Sequence, residues 1–133
     1  MEIRTVAVVG AGTMGAGIAQ VCAQTGWRTR LFDAFPEALE RGMDAIEAFW
    51  ESGMERGKTT SEQKSKWSAN LSSTGVLADA VDGADLVVEA IPERIELKQS
   101  VFRDLESLAP GHAILATNTS GLPISKIAAA TGC

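Results

Sequence analysis

The sequence predicts an α/β protein with a doubly wound parallel sheet, in three layers with helices on both faces. Short apolar runs alternate with segments whose apolar residues recur at helical spacing, which is typical of parallel strands joined by crossover helices. Residues 6–9 are four apolar, β-prone residues, and residues 85–91, which Pro92 ends, are a nearly continuous apolar run, as expected of a strand that is buried on both faces. Right-handed crossovers would then place the first strand centrally, in the strand order 3-2-1-4-5.

The first strand leads directly into a glycine-rich turn of the pattern G-x-G-x-x-G, and the residues after the turn predict a helix. The first glycine allows a tight turn, the second lets the backbone approach a pyrophosphate, and the third lets the helix lie close to the strand. Phosphates would then contact the helix N-terminus, where unpaired N–H groups and the helix dipole favour negative charge. The predicted cofactor contacts in this turn are Gly10, Gly12, Thr13, Met14 and Gly15.

A second strand, residues 28–32, ends at Asp33, close to the spacing of about 20 residues at which an acid binds an adenosine ribose. The alternative is a glycine-rich turn followed by an ordinary loop acid. The combination of strand, turn, helix and acid favours a dinucleotide site of the Rossmann type. Because Ala34 and Phe35 follow Asp33, and no arginine stands where it could receive a 2′-phosphate, we expect NAD rather than NADP.

Two helices are predicted after the second strand, as a hairpin inserted into the sheet. Pro36 can open the first, and Thr60 with Gln63 resembles a capping box that opens the second. The apolar residues of the first helix predict its core-facing stripe: Leu39, Met43, Ile46, Phe49, Trp50 and Met54. A later helix has the stripe Leu97, Val101, Leu105 and Leu108. For the aromatic pair at 49 and 50, core packing is favoured over a ligand site.

Ligands of such sheets bind beyond the carboxyl ends of the strands, at the point where the strand order reverses. Ala90 is small where a nicotinamide half would pass, Glu93 lies just beyond that strand, and Lys98 lies on the following helix. Asn118 and Ser120 bring an amide and a hydroxyl to the next strand end. The structural alternatives are a dipole-complementing acid, a solvated lysine, and turn or cap residues.

His112 is the one histidine of the sequence and would be the natural general base for oxidising an alcohol. It precedes its strand, however, at the amino end of the predicted sheet. We therefore expect a turn or surface residue there. Cys22 is predicted to be a small buried residue, and neither it nor Cys133 has metal-ligand spacing, so no metal is expected.

The 133 residues suit one domain, and 45% hydrophobic residues are enough for a core. A net charge of −5 without a basic block makes nucleic acid or an anionic membrane an unexpected partner. Because the first strand starts close to Met1, we expect no signal peptide, and no apolar run approaches the ~20 residues that span a bilayer. A cytoplasmic location is therefore the expectation.

Three segments together resemble the L-3-hydroxyacyl-CoA dehydrogenases, including the 3-hydroxybutyryl-CoA dehydrogenases. They are V-A-V-V-G-A-G-T-M-G-A-G-I-A-Q at residues 6–20, E-A-I-P-E-R-I-E-L-K at 89–98 and A-T-N-T-S at 116–120. The resemblance implies that Asp33 holds the adenosine ribose, and that Glu93, Lys98 and Asn118 lie near the nicotinamide ribose. It also implies that Ser120 is catalytic, contacting the nicotinamide region and the 3-oxygen of an acyl-CoA substrate, and that the full-length enzyme is a homo-oligomer.

The family's catalytic histidine, in an H-F-F-N-P-like segment, and its helical dimerisation and substrate domain come later than residue 133. We therefore interpret residues 1–133 as a C-terminally incomplete NAD-binding domain that is inactive by itself. Two alternatives stay open: a related β-hydroxyacid or carnitine-type dehydrogenase, and a non-catalytic dinucleotide-binding module.

Overall fold

A computed structural model describes residues 3–91 and 95–117. Its five strands form one parallel sheet in the order β3-β2-β1-β4-β5. The strands are β1 (Thr5–Val9), β2 (Arg28–Phe32), β3 (Leu71–Thr74), β4 (Leu86–Glu89) and β5 (Ile114–Thr117). The predicted strand order is confirmed. Since Val9 pairs with Phe32 on one side and Glu89 on the other, the carboxyl ends of the three middle strands lie level at one edge.

Five helices complete the described part of the chain: α1 (Thr13–Thr25), α2 (Pro36–Glu55), α3 (Ser61–Asn70), α4 (Leu77–Val81) and α5 (Ile95–Leu108). Helices α2 and α3 form the predicted hairpin between β2 and β3. None of the helices described is long and apolar enough to cross a membrane.

The side chains of β1 alternate between two hydrophobic cores. Val6 and Val8 lie in the core that β1 shares with α1 and α2, where Trp50 is also buried. Ala7 and Val9 face the other side of the sheet, and their core includes residues of α4 and α5 such as Leu105. Burial on both faces of this central strand explains why residues 6–9 are all apolar.

Trp50 ties the hairpin to α1. Its Nε1 donates a hydrogen bond to Oε1 of Gln24 at 3.0 Å, and its ring lies 5.8 Å from the ring of Trp67 in α3. The prediction that Phe49 packs in the core is wrong, because this side chain is 61% exposed. One residue advances a helix by about 100°, so Trp50 faces α1 and α3 while Phe49 turns to solvent. Leu108, in the last turn of α5, is also more exposed than predicted, at 43%.

The other local predictions on the hairpin hold. Thr60 accepts a hydrogen bond from the N–H of Gln63, and the Gln63 side chain accepts one from the N–H of Thr60, which is the predicted capping box. Lys64 of α3 bridges back to Glu47 and Glu51 of α2. The two helices of the hairpin are thus joined to each other, and both lie against α1.

His112 lies at the amino end of the sheet, as predicted. Its Nε2 is 2.9 Å from Oδ1 of Asp85, and the other carboxylate oxygen of Asp85 accepts hydrogen bonds from the N–H groups of Arg4 and Thr5. The histidine side chain is 51% exposed. This cluster lies at the opposite edge of the sheet from the glycine turn.

Candidate functional site

The glycine turn that connects β1 to α1 is closely packed at two of its three glycines. Gly10 has a φ of +113°, and a Cβ built on it would lie 2.8 Å from the carbonyl oxygen of Ala90. A Cβ on Gly15 would lie 1.7 Å from the carbonyl oxygen of Gly10. By contrast, a Cβ on Gly12 would meet nothing within 4 Å. The open position is therefore the one that was predicted to face the pyrophosphate.

The N-terminus of α1 has unused capacity to bind an anion. Its N-cap is Gly12, no side chain caps it, and its first turn, which the structure describes in full, has no acidic residue. Helices α2, α3 and α4 each carry an acid there: Glu37, Glu62 and Asp79. The first N–H groups of a helix lack partners within the helix, and the dipole adds partial positive charge. Exposed Thr13 and Met14 begin this helix, so an anion at Gly12 would meet a complementary surface.

Asp33 lies directly beside the turn, as its spacing predicted. Its Oδ2 accepts a hydrogen bond from the N–H of Ala11 at 2.9 Å, and its Oδ1 accepts one from the N–H of Phe35 at the same distance. The N–H of Gly10 donates to the carbonyl oxygen of Phe32 at 2.8 Å, which joins the turn to the end of β2. A carboxylate has about four acceptor positions, so Asp33 keeps capacity for ribose hydroxyls.

Gly42, in the middle of α2, was missed by the sequence reasoning. A Cβ on Gly42 would lie 2.7 Å from the carbonyl oxygen of Ala11 and 3.2 Å from its Cβ. Helix α2 therefore packs directly on the glycine turn, and Ala11 between them is only 3% exposed. The signal in the sequence was the glycine itself, since a glycine inside a helix costs about 1 kcal/mol relative to alanine and indicates a close approach.

The end of β4 lies on the other side of the turn. The N–H of Ala90 donates to the carbonyl oxygen of Val9 at 2.9 Å, and the Ala90 side chain is 3.5 Å from where a Gly15 Cβ would stand. Glu89 was also missed: its side chain is buried, and it accepts a hydrogen bond from the N–H of Ile91. A charged residue inside an otherwise apolar strand was the available signal.

Four predicted site residues have side chains that the structure does not describe. Glu93, Asn118 and Ser120 lie outside the described residues, and Lys98 lies in α5 with a side chain that is not described. The structure thus brings together the turn, Asp33 and Ala90. In the ranges 3–91 and 95–117, no group of three or more His, Cys, Asp or Glu side chains could hold a metal ion.

This arrangement defines the class of the domain. A glycine turn that ends the central strand, a helix start open to an anion, and an acid at the end of the neighbouring strand are how Rossmann-type domains hold a dinucleotide. The family model described as "3-hydroxyacyl-CoA dehydrogenase, NAD binding domain" matches residues 5–132. The chain therefore belongs to the 3-hydroxyacyl-CoA dehydrogenase family, as an NAD-binding domain.

Known proteins agree with this assignment. The chain is 42% identical over 131 residues to a probable 3-hydroxybutyryl-CoA dehydrogenase of Bacillus subtilis, covering 98% of this chain and 45% of that protein. It is 43% identical to the 3-hydroxyadipyl-CoA dehydrogenase of Escherichia coli, covering 97% and 27%. The crystal structure of 3-hydroxybutyryl-CoA dehydrogenase from Escherichia coli superposes with a TM-score of 0.92 at 42% identity, covering 97% and 27%. The chain spans less than half the length of each of these proteins.

Proposed function

We propose that this chain is the cofactor half of a cytoplasmic oxidoreductase that transfers a hydride between C3 of an (S)-3-hydroxyacyl-CoA and NAD. The metabolic setting would be fatty-acid or butanoate metabolism. The observation that carries the proposal is the open glycine turn with Asp33 hydrogen-bonded beside it, in a domain of this family. The acyl-CoA class is supported by the relatives, which are named for 3-hydroxybutyryl-CoA and 3-hydroxyadipyl-CoA.

Bound NAD would supply the hydride acceptor. Asp33 would accept hydrogen bonds from the adenosine ribose, while the backbone at Gly12 and the start of α1 would hold the pyrophosphate without side-chain charge. Ala90, small and half-buried at the end of β4, would leave room for the nicotinamide half.

The family resemblance assigns four residues to the nicotinamide ribose and the substrate. Glu93, Lys98 and Asn118 would orient the nicotinamide ribose. The Ser120 hydroxyl would donate to the 3-oxygen of the substrate and so hold C3 against the cofactor. Orientation of this kind lowers the barrier by keeping the reacting atoms in near-attack geometry.

Oxidation of the alcohol also needs a base for the hydroxyl proton, which typically contributes ~10²–10⁴-fold. His112 is the one histidine of the sequence, and it pairs with Asp85 at the opposite edge of the sheet from the turn. A serine hydroxyl without an adjacent base does not accept a proton at neutral pH. We therefore propose that this chain binds NAD but forms little NADH by itself, and that the whole protein, a homo-oligomer, completes the site.

The test is a pair of measurements on the purified chain. Calorimetric titration should show NAD binding, and an assay of NADH formation with 3-hydroxybutyryl-CoA should show little turnover. A protein that carries this chain together with a C-terminal domain of the family should be active in the same assay. Turnover of the short chain that survives His112→Ala would mean that another base exists, and turnover abolished by that change would overturn the position assigned to His112.

The same assay separates the alternative functions. A long protein that is inactive on acyl-CoA but oxidises carnitine or a free 3-hydroxy acid would indicate the related dehydrogenases. A long protein that binds NAD without any of these activities would indicate a non-catalytic module. Comparison of the butyryl and adipyl thioesters would then define the acyl preference, which differs between the two named relatives.

A further inference from the structure

Glu89 is a buried carboxylate at the carboxyl edge of the sheet. It is the last residue of β4, it is 1% exposed, and it pairs in register with Val9 of the central strand. Burying a carboxylate is unfavourable unless hydrogen bonds compensate for the lost water. One such bond is local, since Oε2 of Glu89 accepts from the N–H of Ile91 two residues ahead. This bond spans Ala90 and restrains its backbone.

Ala90 is the residue on which the glycine turn packs. Its carbonyl oxygen would lie 2.8 Å from a Cβ on Gly10, and its own Cβ would lie 3.5 Å from one on Gly15. Its N–H is held by the carbonyl oxygen of Val9 at 2.9 Å. In a close-packed protein interior, a small displacement of one group is transmitted directly to the groups that it contacts. A shift of the Ala90 backbone would therefore move one wall of the cofactor turn.

We infer that Glu89 is a positioning residue for the nicotinamide half of the cofactor, acting through the backbone of Ala90 and Ile91. The inference rests on the proposed course of the nicotinamide half past Ala90. Asp33 follows β2, on the opposite side of β1 from β4, and under the proposed function it would bind the adenosine half. A change at Glu89 should therefore weaken binding of the nicotinamide half of NAD more than binding of the adenosine half.

The experiment compares the affinities of the whole chain for NAD and for AMP, which carries only the adenosine half. Glu89→Leu fills a similar buried volume but removes the acceptor. It should weaken NAD binding by about tenfold, the loss expected for one hydrogen bond, while AMP binding stays within about twofold. Glu89→Gln keeps an oxygen that can accept from Ile91, so it should restore most of the NAD affinity.

Thr74→Val is the matched control. At the end of β3, Oγ1 of Thr74 accepts from the N–H of Val76 at 3.1 Å, the same two-residue bond at the same edge of the sheet but far from Ala90. Its loss should lower the thermal midpoint without changing the ratio of NAD to AMP affinity. An unchanged ratio in Glu89→Leu, or an equal change in both variants, would overturn the inference.

Amide hydrogen exchange on the unmodified chain gives a second readout that does not depend on a variant folding. Exchange at Ile91 should slow when NAD is added and respond much less to AMP; equal responses would overturn the inference. A chain that binds neither ligand would contradict the NAD-binding assignment. A long protein that binds NAD but lacks dehydrogenase activity would contradict the proposed function and leave the role of Glu89 intact.

Discussion

Asp33 has a structural task in addition to the ribose contact proposed for it. Its two carboxylate oxygens hold the N–H of Ala11 in the turn and the N–H of Phe35 before α2. Asp33→Ala should therefore weaken NAD binding by about 10–100-fold, because the ribose acceptor and the tether of the turn are lost together. The preference for NAD over NADP should narrow, since the charge that repels a 2′-phosphate is gone. Titration with both cofactors measures these effects.

Glu37→Ala is the control for Asp33, because it removes an exposed acid from the first turn of α2 at the same edge of the sheet. It should leave both affinities and their ratio nearly unchanged. Binding of NADPH to the unmodified chain as tightly as NADH would contradict the assigned preference.

Asp85 makes stability depend on pH at the opposite edge of the sheet. Hydrogen bonds from the N–H of Arg4, from the His112 ring and from the N–H of Thr5, in that order of size, hold the pKa of Asp85 below its ordinary value. Because the pKa of Asp85 is lower in the folded than in the unfolded chain, its carboxylate stabilises the fold at pH values above the pKa of the unfolded chain, which is about 3.9. That stabilisation is lost as the pH falls through the folded pKa.

Asp85→Asn should accordingly lower the thermal midpoint at pH 7, and its difference from the unmodified chain should shrink below about pH 4. Thermal melts between pH 3 and pH 7 measure this effect. The two limits lie about one unit or more on either side of the ordinary pKa of a carboxyl group. Asp44→Asn, on the exposed side of α2, should show little difference at any of these pH values. A constant effect of Asp85→Asn across the range would contradict the assigned role.

At the scale of elements, α2 and the glycine turn form one packed unit. Gly42→Ala should strengthen the helix by about 1 kcal/mol in propensity alone. The new Cβ would lie 2.7 Å from the carbonyl oxygen of Ala11, however, so the helix and the turn must move apart. We expect a several-fold loss of NAD affinity, on the order of 1 kcal/mol, with little net change in stability.

Ala48→Gly is the matched variant, because it weakens the same helix at an exposed position and adds no atom against the turn. It should reduce stability by about 1 kcal/mol and leave NAD affinity unchanged. Chemical denaturation and titration of both variants separate helix strength from turn geometry. Unchanged NAD affinity in Gly42→Ala would show that the turn tolerates movement of α2.

At the scale of the whole molecule, β5 is one of the two outer strands of the sheet, with β3 at the other edge, in the part of the chain that the structure describes. Its residues Ile114 and Leu115 are 49% and 37% exposed. An apolar outer strand is a template for pairing with another chain. We expect the isolated chain to self-associate with rising concentration, and Leu115→Lys to reduce this, as measured by light scattering.

Val21→Lys is the control for the outer strand β5, since Val21 is 60% exposed on α1, a helix that packs against β1, β2 and β3. It should not change self-association. A monomer over a wide range of concentration in the unmodified chain would refute the prediction.

Local signals in the sequence were enough for most of the architecture. The glycine turn, the spacing to Asp33, the capping box at Thr60 and the continuous apolar run of β1 each depend on residues close together in the chain. Right-handed crossovers then allow few strand orders, and the predicted order was confirmed. The position of His112 followed from the same topology, because a residue that precedes a parallel strand lies at the amino edge.

Which residues meet across the fold was decided only by the tertiary structure. Gly42 lies far along the chain from Ala11, and although a glycine inside a helix indicates a close approach, nothing local to α2 shows that the approach is to the turn. The apolar pattern of α2 did not distinguish Phe49 from Trp50, because neighbouring positions both border a helical stripe and packing against α1 decides between them. The burial of Glu89 could not be predicted from the sequence for the same reason. Its side chain is 1% exposed in the fold, and contacts between distant segments leave only a weak trace in the local pattern of a sequence.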